Sequence, residues 1–312
     1  MSSVSVVIPA FNAERYIAPT IRSVEAQEIA GDIEIIVVDD GSTDRTVAEV
    51  ERARGCLPIV FLTQQRRGVS AARNAGLAAA RFEYVVFLDA DDLFTPGALA
   101  VMTRVLDGAP QAVAALCGHE KIDEDGNRLD GHRRPATLPK GDTLDGLLRK
   151  NFVVNGGALC IRTAAARRAG GYDERRSFGE DWEFWCRLAR LGNFADAAGF
   201  VALRYRQRLG GASHTLRGSP FHPNFTAVDA MFVDPAIARK YGRLRTWLYR
   251  RQARQDVYWT AARSELRHGH LLTFGLYLGV GAIRFPDSVL RVRLVARFLK
   301  DVFNTRRPAE AL

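Results

Sequence analysis

Cysteine is scarce in this chain: four in 312 residues (Cys56, Cys117, Cys160, Cys186), none at CxxC spacing. That argues against a disulfide framework and a cysteine-built zinc site, and makes a reducing compartment the default. Long apolar runs are missing too, since none reaches the roughly 18 residues that a transmembrane helix needs. No basic segment precedes an apolar stretch at the N-terminus, where Met-Ser-Ser leads straight into Val4–Pro9, so no signal peptide is expected. There is no fixed-period repeat and no low-complexity tract. What is present, 47% hydrophobic and 25% charged residues, is ordinary for a globular chain and excludes wholesale disorder.

The net charge of +9 is unevenly placed. Residues 215–312 hold 17 Lys and Arg against 7 Asp and Glu, a net of +10, while residues 1–214 hold 27 against 28. Two readings of the basic third stand open. One is an anionic partner surface, nucleic acid or lipid headgroups; the other is an Arg-rich helical face in water.

Short apolar runs at Val4–Ile8, Ile33–Val38, Ile59–Leu62 and Tyr84–Leu88 read as strands. Ala13–Gln27, Thr43–Arg54 and Gly68–Ala80 between them read as helices. Strands that are apolar throughout and alternate with helices predict a mostly parallel sheet covered on both faces. Ligands of such sheets bind beyond the carboxyl ends of the strands. Further on, Ala112–Cys117 and Phe200–Tyr205 read as strands, and Thr163–Ala169 and Glu180–Leu191 as helices. The chain from about residue 235 reads as helical, with long stretches at Pro235–His268 and Ser288–Phe303.

Three acidic motifs carry the chemistry. Asp39-Asp40-Gly41-Ser42 ends a buried strand; it suits a binding loop or a turn that only starts the next helix. Asp89-Ala90-Asp91-Asp92 ends another, and three carboxylates in four residues repel unless a cation or a hydrogen-bond network offsets them. Hard oxygen ligands on a loop suit Mg²⁺ or Mn²⁺, which complete their shells with substrate phosphates. Glu180-Asp181-Trp182 opens an aromatic-rich helix. Capping by the helix dipole explains one carboxylate, and Trp182 with Trp185 offers faces that could wall a sugar pocket.

Taken together, Val4–Asn12, Val37–Asp44, Gly68–Gly76, Phe87–Asp92, Gly170–Glu174 and Gly179–Trp182 resemble the family 2 glycosyltransferases over residues 4–210. The resemblance implies an α/β GT-A fold, Rossmann-like, to which the helical pattern of the last third adds a C-terminal extension. It divides the chain into a glycosyltransferase domain at 1–214 (about 1–110 for the nucleotide sugar, 111–214 for the acceptor) and a basic extension at 215–312. It also implies a nucleoside-diphosphate-sugar donor, a divalent metal (Mn²⁺ or Mg²⁺) and inversion at the anomeric carbon. Position by position, Pro9 and Asp40 would line the nucleobase pocket, with Asp40 suiting a uracil or thymine N–H, which favours a UDP- or dTDP-sugar, a GDP-sugar being the alternative. Arg73 would lie near the nucleotide; an ordinary helix-surface arginine is the alternative. Asp91 would ligate the metal, Asp89 would contact the ribose or the ion, and His214 could reach either metal or diphosphate, a solvated loop histidine being the alternative. Asp181 would be the general base, with Glu180 and Trp182 on the acceptor side.

The QxxRW motif and membrane spans of processive synthases are absent, so transfer of a single sugar is expected. The acceptor would be a cell-surface glycan or a lipid-linked precursor. Nucleotidyl transfer and non-catalytic sugar-nucleotide binding are the competing classes; the first lacks its Gly-rich basic phosphate loop here, and the intact Asp91 and Asp181 argue against the second. The apolar Leu271–Ile283 and the basic amphipathic Val289–Lys300 point to a cytoplasmic enzyme lying peripherally on the inner face of an anionic membrane. A helix packed on the catalytic domain competes with that. Nucleic acid is not expected, because no recognition motif accompanies the charge.

Overall fold

The computed structural model describes residues 2–129, 131–208, 219–267 and 269–289. His214 and nearly all of the helix expected over Ser288–Phe303, including the amphipathic stretch to Lys300, lie outside them. Two compact units emerge, Met1–Leu147 with Asn151–Leu209, and Leu148–Lys150 with Gly210–Leu312.

The first unit opens with β1 (Val4–Ala10), α1 (Ile17–Glu25), β2 (Ile33–Asp39), α2 (Thr46–Arg52), β3 (Ile59–Thr63), α3 (Val69–Ala79) and β4 (Tyr84–Phe87). It continues through β5 (Leu93–Phe94), α4 (Ala98–Asp107), β6 (Ala114–Ile122), α5 (Thr143–Leu147), β7 (Leu159–Arg162), α6 (Thr163–Arg168), α7 (Glu180–Ala189) and β8 (Phe194–Arg206). All eight strands join one sheet in the order β3-β2-β1-β4-β7-β6-β8-β5.

Every residue of β1 and β2 is buried, as their unbroken apolar character requires. Alternation along β1 sends Val4, Val6 and Ile8 into a core shared with Ile17, Ile21 and Val24 of α1 and Leu99 and Met102 of α4. Val7 points to the opposite face, where α3 lies. There Gly76 makes room, since a Cβ at that position would fall on the Val7 Cγ1 methyl. The small buried residues Ala71, Ala72 and Gly76 thus let α3 lie directly on β1.

The sheet is parallel through β3-β2-β1-β4, as expected, but turns mixed beyond it. β7 runs antiparallel to both β4 and β6, and β5 antiparallel to β8. At four residues, β7 is too short to stand out from the sequence around it. The first half of β8 (Ala195-Asp196-Ala197) carries no strand signature; parallel pairing with Ala114–Leu116 makes it a strand, with register shifts around Gly118.

The second unit holds α8 (Thr226–Met231), α9 (Pro235–Tyr241), α10 (Arg243–Arg267), α11 (Leu271–Arg284) and α12 (Pro286–Val289). Asp234 caps α9, its Oδ1 accepting from Ala236 N at 2.7 Å with Pro235 at the first turn. Gly242, at φ +78°, splits the helical stretch that the sequence reads as continuous. A small aromatic core forms where Tyr258 and Trp259 of α10 meet Tyr277 of α11 and Phe285, and Tyr258 donates to the Tyr277 carbonyl at 3.0 Å. Among the described residues no helix is long and apolar enough to cross a membrane.

Candidate active site

Because β2, β1 and β4 are parallel neighbours, their carboxyl ends lie side by side and present Asp39-Asp40, Asn12 and Asp89 along one edge. Asn12 takes a left-handed φ of +47°, and its Oδ1 accepts from Thr43 N at 2.9 Å, tying the β1 loop to the β2 loop. Asp39 closes its own turn by accepting from Ser42 N. Asp40 is buried, and its carboxylate gathers the loop before α3: Oδ1 accepts from Gln64 Nε2 at 2.7 Å and Arg67 N at 2.8 Å, Oδ2 from Gly68 N at 2.9 Å. Pro9 is buried within β1, opposite Val38. Above this end the Arg66 guanidinium stacks on the Phe11 ring.

From that tied loop α3 starts, and its first turns deliver Arg73 into the centre of the site. The residue is 3% exposed, which excludes the helix-surface reading. Its Nη1 donates to Asp181 Oδ1 at 2.9 Å and reaches Glu180 Oε1 at 3.3 Å; Nη2 donates to Asp89 Oδ1 at 2.8 Å. The Tyr172 ring lies 4.9 Å beneath the guanidinium. Tyr172 is set there by the Gly170-Gly171 turn, where Gly171 has φ +64° and a Cβ would strike the Asn74 side chain. Asn74 in turn accepts from Tyr172 N at 2.7 Å. One cation therefore joins the β4 end to the start of α7, whose Asp181 lies 108 residues from Arg73 in sequence.

Three carboxylates around one guanidinium cannot all be neutralised by it. Burial pushes the Asp181 carboxyl up to about 7; Arg73 opposes this, while Glu180 and Asp89 add to it. Burial pulls on Arg73 in the other direction, but Asp181 and Asp89 outweigh it and hold the guanidinium well above its ordinary value. Among the described residues, three buried polar atoms of this wall, Ser70 Oγ, Arg73 Nε and Tyr172 Oη, make no hydrogen bond. Such groups are costly unless something else meets them.

The Asp89–Asp92 loop is held from below by residues that sequence reasoning missed. Asn155 Nδ2 donates to Asp92 Oδ2 at 2.6 Å and to Asp89 Oδ2 at 3.2 Å. Asp92 Oδ1 accepts from Arg206 N at 2.8 Å, and Arg206 Nε donates to the Asp91 carbonyl at 2.7 Å. Asp92 is wholly buried, and burial together with Asp91 and Asp89 pushes its carboxyl well above the usual range. Asp91 is half-buried, raised by burial and then by Asp89, and its Oδ2 meets Arg208 Nε at 2.7 Å. The Asn155-Gly156-Gly157 turn was the one available signal for Asn155; nothing local marked Arg206 or Arg208.

For a divalent ion the chain offers hard carboxylate oxygens at Asp89 and Asp91, both now turned toward arginines. Among the described residues no group of three or more His, Cys, Asp or Glu is gathered for a metal. The donor set fits an ion that takes one or two protein carboxylates and fills its remaining positions with phosphates and water.

Two expectations need correction. Trp182 is 5% exposed and donates its indole N–H to the Leu147 carbonyl at 2.8 Å, and Trp185 is fully buried against Tyr172 and Phe184. Neither ring offers a face to a sugar; their helical spacing served the core.

A family model described as Glycosyl transferase family 2 matches residues 5–171, more than half of the chain. The minor teichoic acid biosynthesis protein GgaA of Bacillus subtilis is 30% identical over 216 residues, 65% of this chain and 48% of that protein. The chain spans between 20% and 60% of the length of eight curated relatives that it matches. Among solved structures, S. aureus TarS 1–349 in complex with UDP-GlcNAc superposes with a TM-score of 0.66 at 19% identity, covering 98% of this chain and 90% of that one. The mannosyltransferase PcManGT from Pyrobaculum calidifontis, in complex with GDP-Man and Mn²⁺, gives 0.55 at 19% identity, covering 96% and 87%. These likenesses place the fold as GT-A with C-terminal helices. The motifs at the strand ends, the fold around them and the family match converge: this chain is a glycosyltransferase of family 2.

Proposed function

We propose that this protein is an inverting, metal-dependent transferase that moves a single sugar from a nucleoside-diphosphate sugar to a hydroxyl acceptor. The acceptor would be a cell-surface glycan or a lipid-linked precursor. One observation carries the reading: Asp181, a half-buried carboxyl with its proton affinity raised to about 7, sits in the same Arg73-centred cluster as Asp89 of the Asp89–Asp92 loop. A base with that affinity is tuned to accept a proton near neutral pH.

In the reaction, the acceptor oxygen forms its bond to the anomeric carbon as the bond from that carbon to the diphosphate breaks. The bonding pair leaves with the nucleoside diphosphate, and the acceptor proton passes to Asp181. A single displacement without a covalent intermediate inverts the centre. Arg73 keeps the Asp181 carboxylate aimed and shares its charge with Asp89. Glu180 borders the acceptor side. Asp91, with Asp89, would hold a Mg²⁺ or Mn²⁺ ion that offsets charge on the departing diphosphate. The orphaned Ser70, Arg73 and Tyr172 atoms are candidates to meet donor oxygens. Asp40, at the carboxyl end of β2, would accept from a base N–H, as in a uridine or thymidine donor. The halves about 1–110 and 111–214 divide donor from acceptor. The basic extension 215–312 would hold the enzyme at the cytoplasmic face of a membrane.

The test is release of nucleoside diphosphate from a panel of nucleotide sugars with Mn²⁺, for the wild type and Asp91→Ala. Release that needs both the metal and Asp91 supports the reading. Transfer that survives EDTA removes the metal role, and pyrophosphate release from a nucleoside triphosphate instead would mark a nucleotidyltransferase.

A further inference from the structure

Twelve large apolar residues are exposed among the described residues, and ten of them belong to the second unit. The concentration is sharpest on α11. Residues 271–283 carry no charge at all, so the helix is apolar on every side. At 100° per residue, Tyr277 and Gly281 form the side that packs on Tyr258 and Trp259, while Leu272, Leu276 and Ile283 fall within about 40° of one another on the side away from it. Leu272 is 89% exposed and Ile283 86%. A helix that is apolar all round belongs in a core or in lipid, and half of this one is in neither.

Two residues past Ile283, Phe285 lines a cavity of about 220 Å³ together with Trp247, Arg250, Arg251 and Arg254 of α10. Trp247 is 57% exposed, and its neighbours Leu244 and Leu248 are exposed as well. Among the described residues, these three guanidiniums meet two carboxylates, Asp229 for Arg250 and Arg254 and Asp287 for Arg251, which leaves an excess of positive charge at the cavity. Exposed aliphatics, a tryptophan at the polar boundary and an excess of arginine are the chemistry of a lipid headgroup interface.

We propose that the exposed face of α11 and the Trp247 end of α10 form a docking surface for an anionic lipid bilayer, with α11 lying in the interface plane. Its 14 residues span about 21 Å, too short to cross a hydrocarbon core of about 30 Å, but enough to rest along one. A second copy of the chain fits less well, because pairing these faces would bring together two stretches of net charge +10. An anionic lipid surface complements that charge, and it is where a lipid-linked acceptor resides. In that last respect alone, the surface rests on the proposed sugar transfer.

The experiment is flotation of the full chain with vesicles of phosphatidylglycerol and phosphatidylcholine, and of phosphatidylcholine alone, with no sugar nucleotide present. Binding is expected on the anionic vesicles only and should weaken with salt. Leu272→Glu and Ile283→Glu should each lower the partition coefficient by about tenfold or more, because each removes a large side chain from the interface. Circular dichroism and donor hydrolysis without vesicles should not change, which separates lost docking from lost folding or lost chemistry. Three outcomes overturn the proposal: no binding to anionic vesicles, binding indifferent to both substitutions but lost on truncation after residue 289, or a dimer in sedimentation that Leu272→Glu dissociates.

Discussion

The two units treat charge and apolar surface in opposite ways. Among the described residues, the sheet unit hides its apolar side chains, leaving only Val47 and Val69 exposed among the large ones, and also buries ionisable groups such as Arg73, Asp92 and Glu34. Among the described residues, the helical unit buries no charged side chain and exposes several leucines, around a core that includes the aromatic cluster of Tyr258, Trp259, Tyr277 and Phe285. In the first, the large sheet core offsets the cost of holding charges where water cannot reach them, and those charges are where chemistry is concentrated. In the second, the described helices expose apolar faces, and those faces are open to something else. The contrast teaches that burying a charge and exposing an apolar face are both departures from default, each informative about function.

The contrast can be broken at its strongest point first. Arg73→Met removes the one cation among Asp89, Glu180 and Asp181. Leaving buried carboxylates without their partner costs about 3–5 kcal/mol, to be read in denaturant unfolding. The loss should shrink at low pH, where the carboxyls take up protons. Asp181→Asn keeps the shape but accepts no proton, so transfer should fall by about 10²–10⁴-fold while donor affinity, measured by titration calorimetry, stays unchanged.

A pH profile sharpens the same point. Since Asp181 is raised to about 7 and must be ionised to act, kcat/KM should rise with pH and level off near that value. Below it, the decline should be about tenfold per pH unit. A profile flat from pH 5 to 8 would assign the base elsewhere. Asn155→Ala strips Asp92 and Asp89 of a shared donor and should cost about 1–3 kcal/mol of stability, with Asn155→Ser recovering part of it. At the other extreme, Leu272→Glu in the helical unit should leave thermal unfolding within about 0.5 kcal/mol of wild type, since its side chain touches little. A large effect there would mean that the exposed face is already covered.

Much of the first unit was legible in the sequence because its signals are local. Buried parallel strands announce themselves as unbroken apolar runs, and Asp40 and Asp89 follow them directly. What was not legible depends on distant pairings. β7 is three ordinary apolar residues and an arginine until β4 and β6 flank it. Asn155 gains its role only because that strand carries it beneath the Asp89–Asp92 loop, and Arg206 only because β8 ends there. Arg73 was singled out for a place near the nucleotide, but its three carboxylate partners come from two segments of which the sequence gives no relative position. The tryptophans at 182 and 185 misled for the converse reason: aromatic spacing along a helix reports burial as readily as binding.

Gly76 shows how finely the site depends on something that is not there. Its missing Cβ sets the distance between α3 and β1, and Arg73 rides on the same helix three residues earlier. An added methyl would have to lift α3 from Val7, and the guanidinium would rise with it from the carboxylates it spans. The helix thus works as a spacer of fixed thickness, and the bare hydrogen at position 76 is its zero setting. A change there would register as a fault in catalytic alignment even though the residue meets neither sugar nor nucleotide.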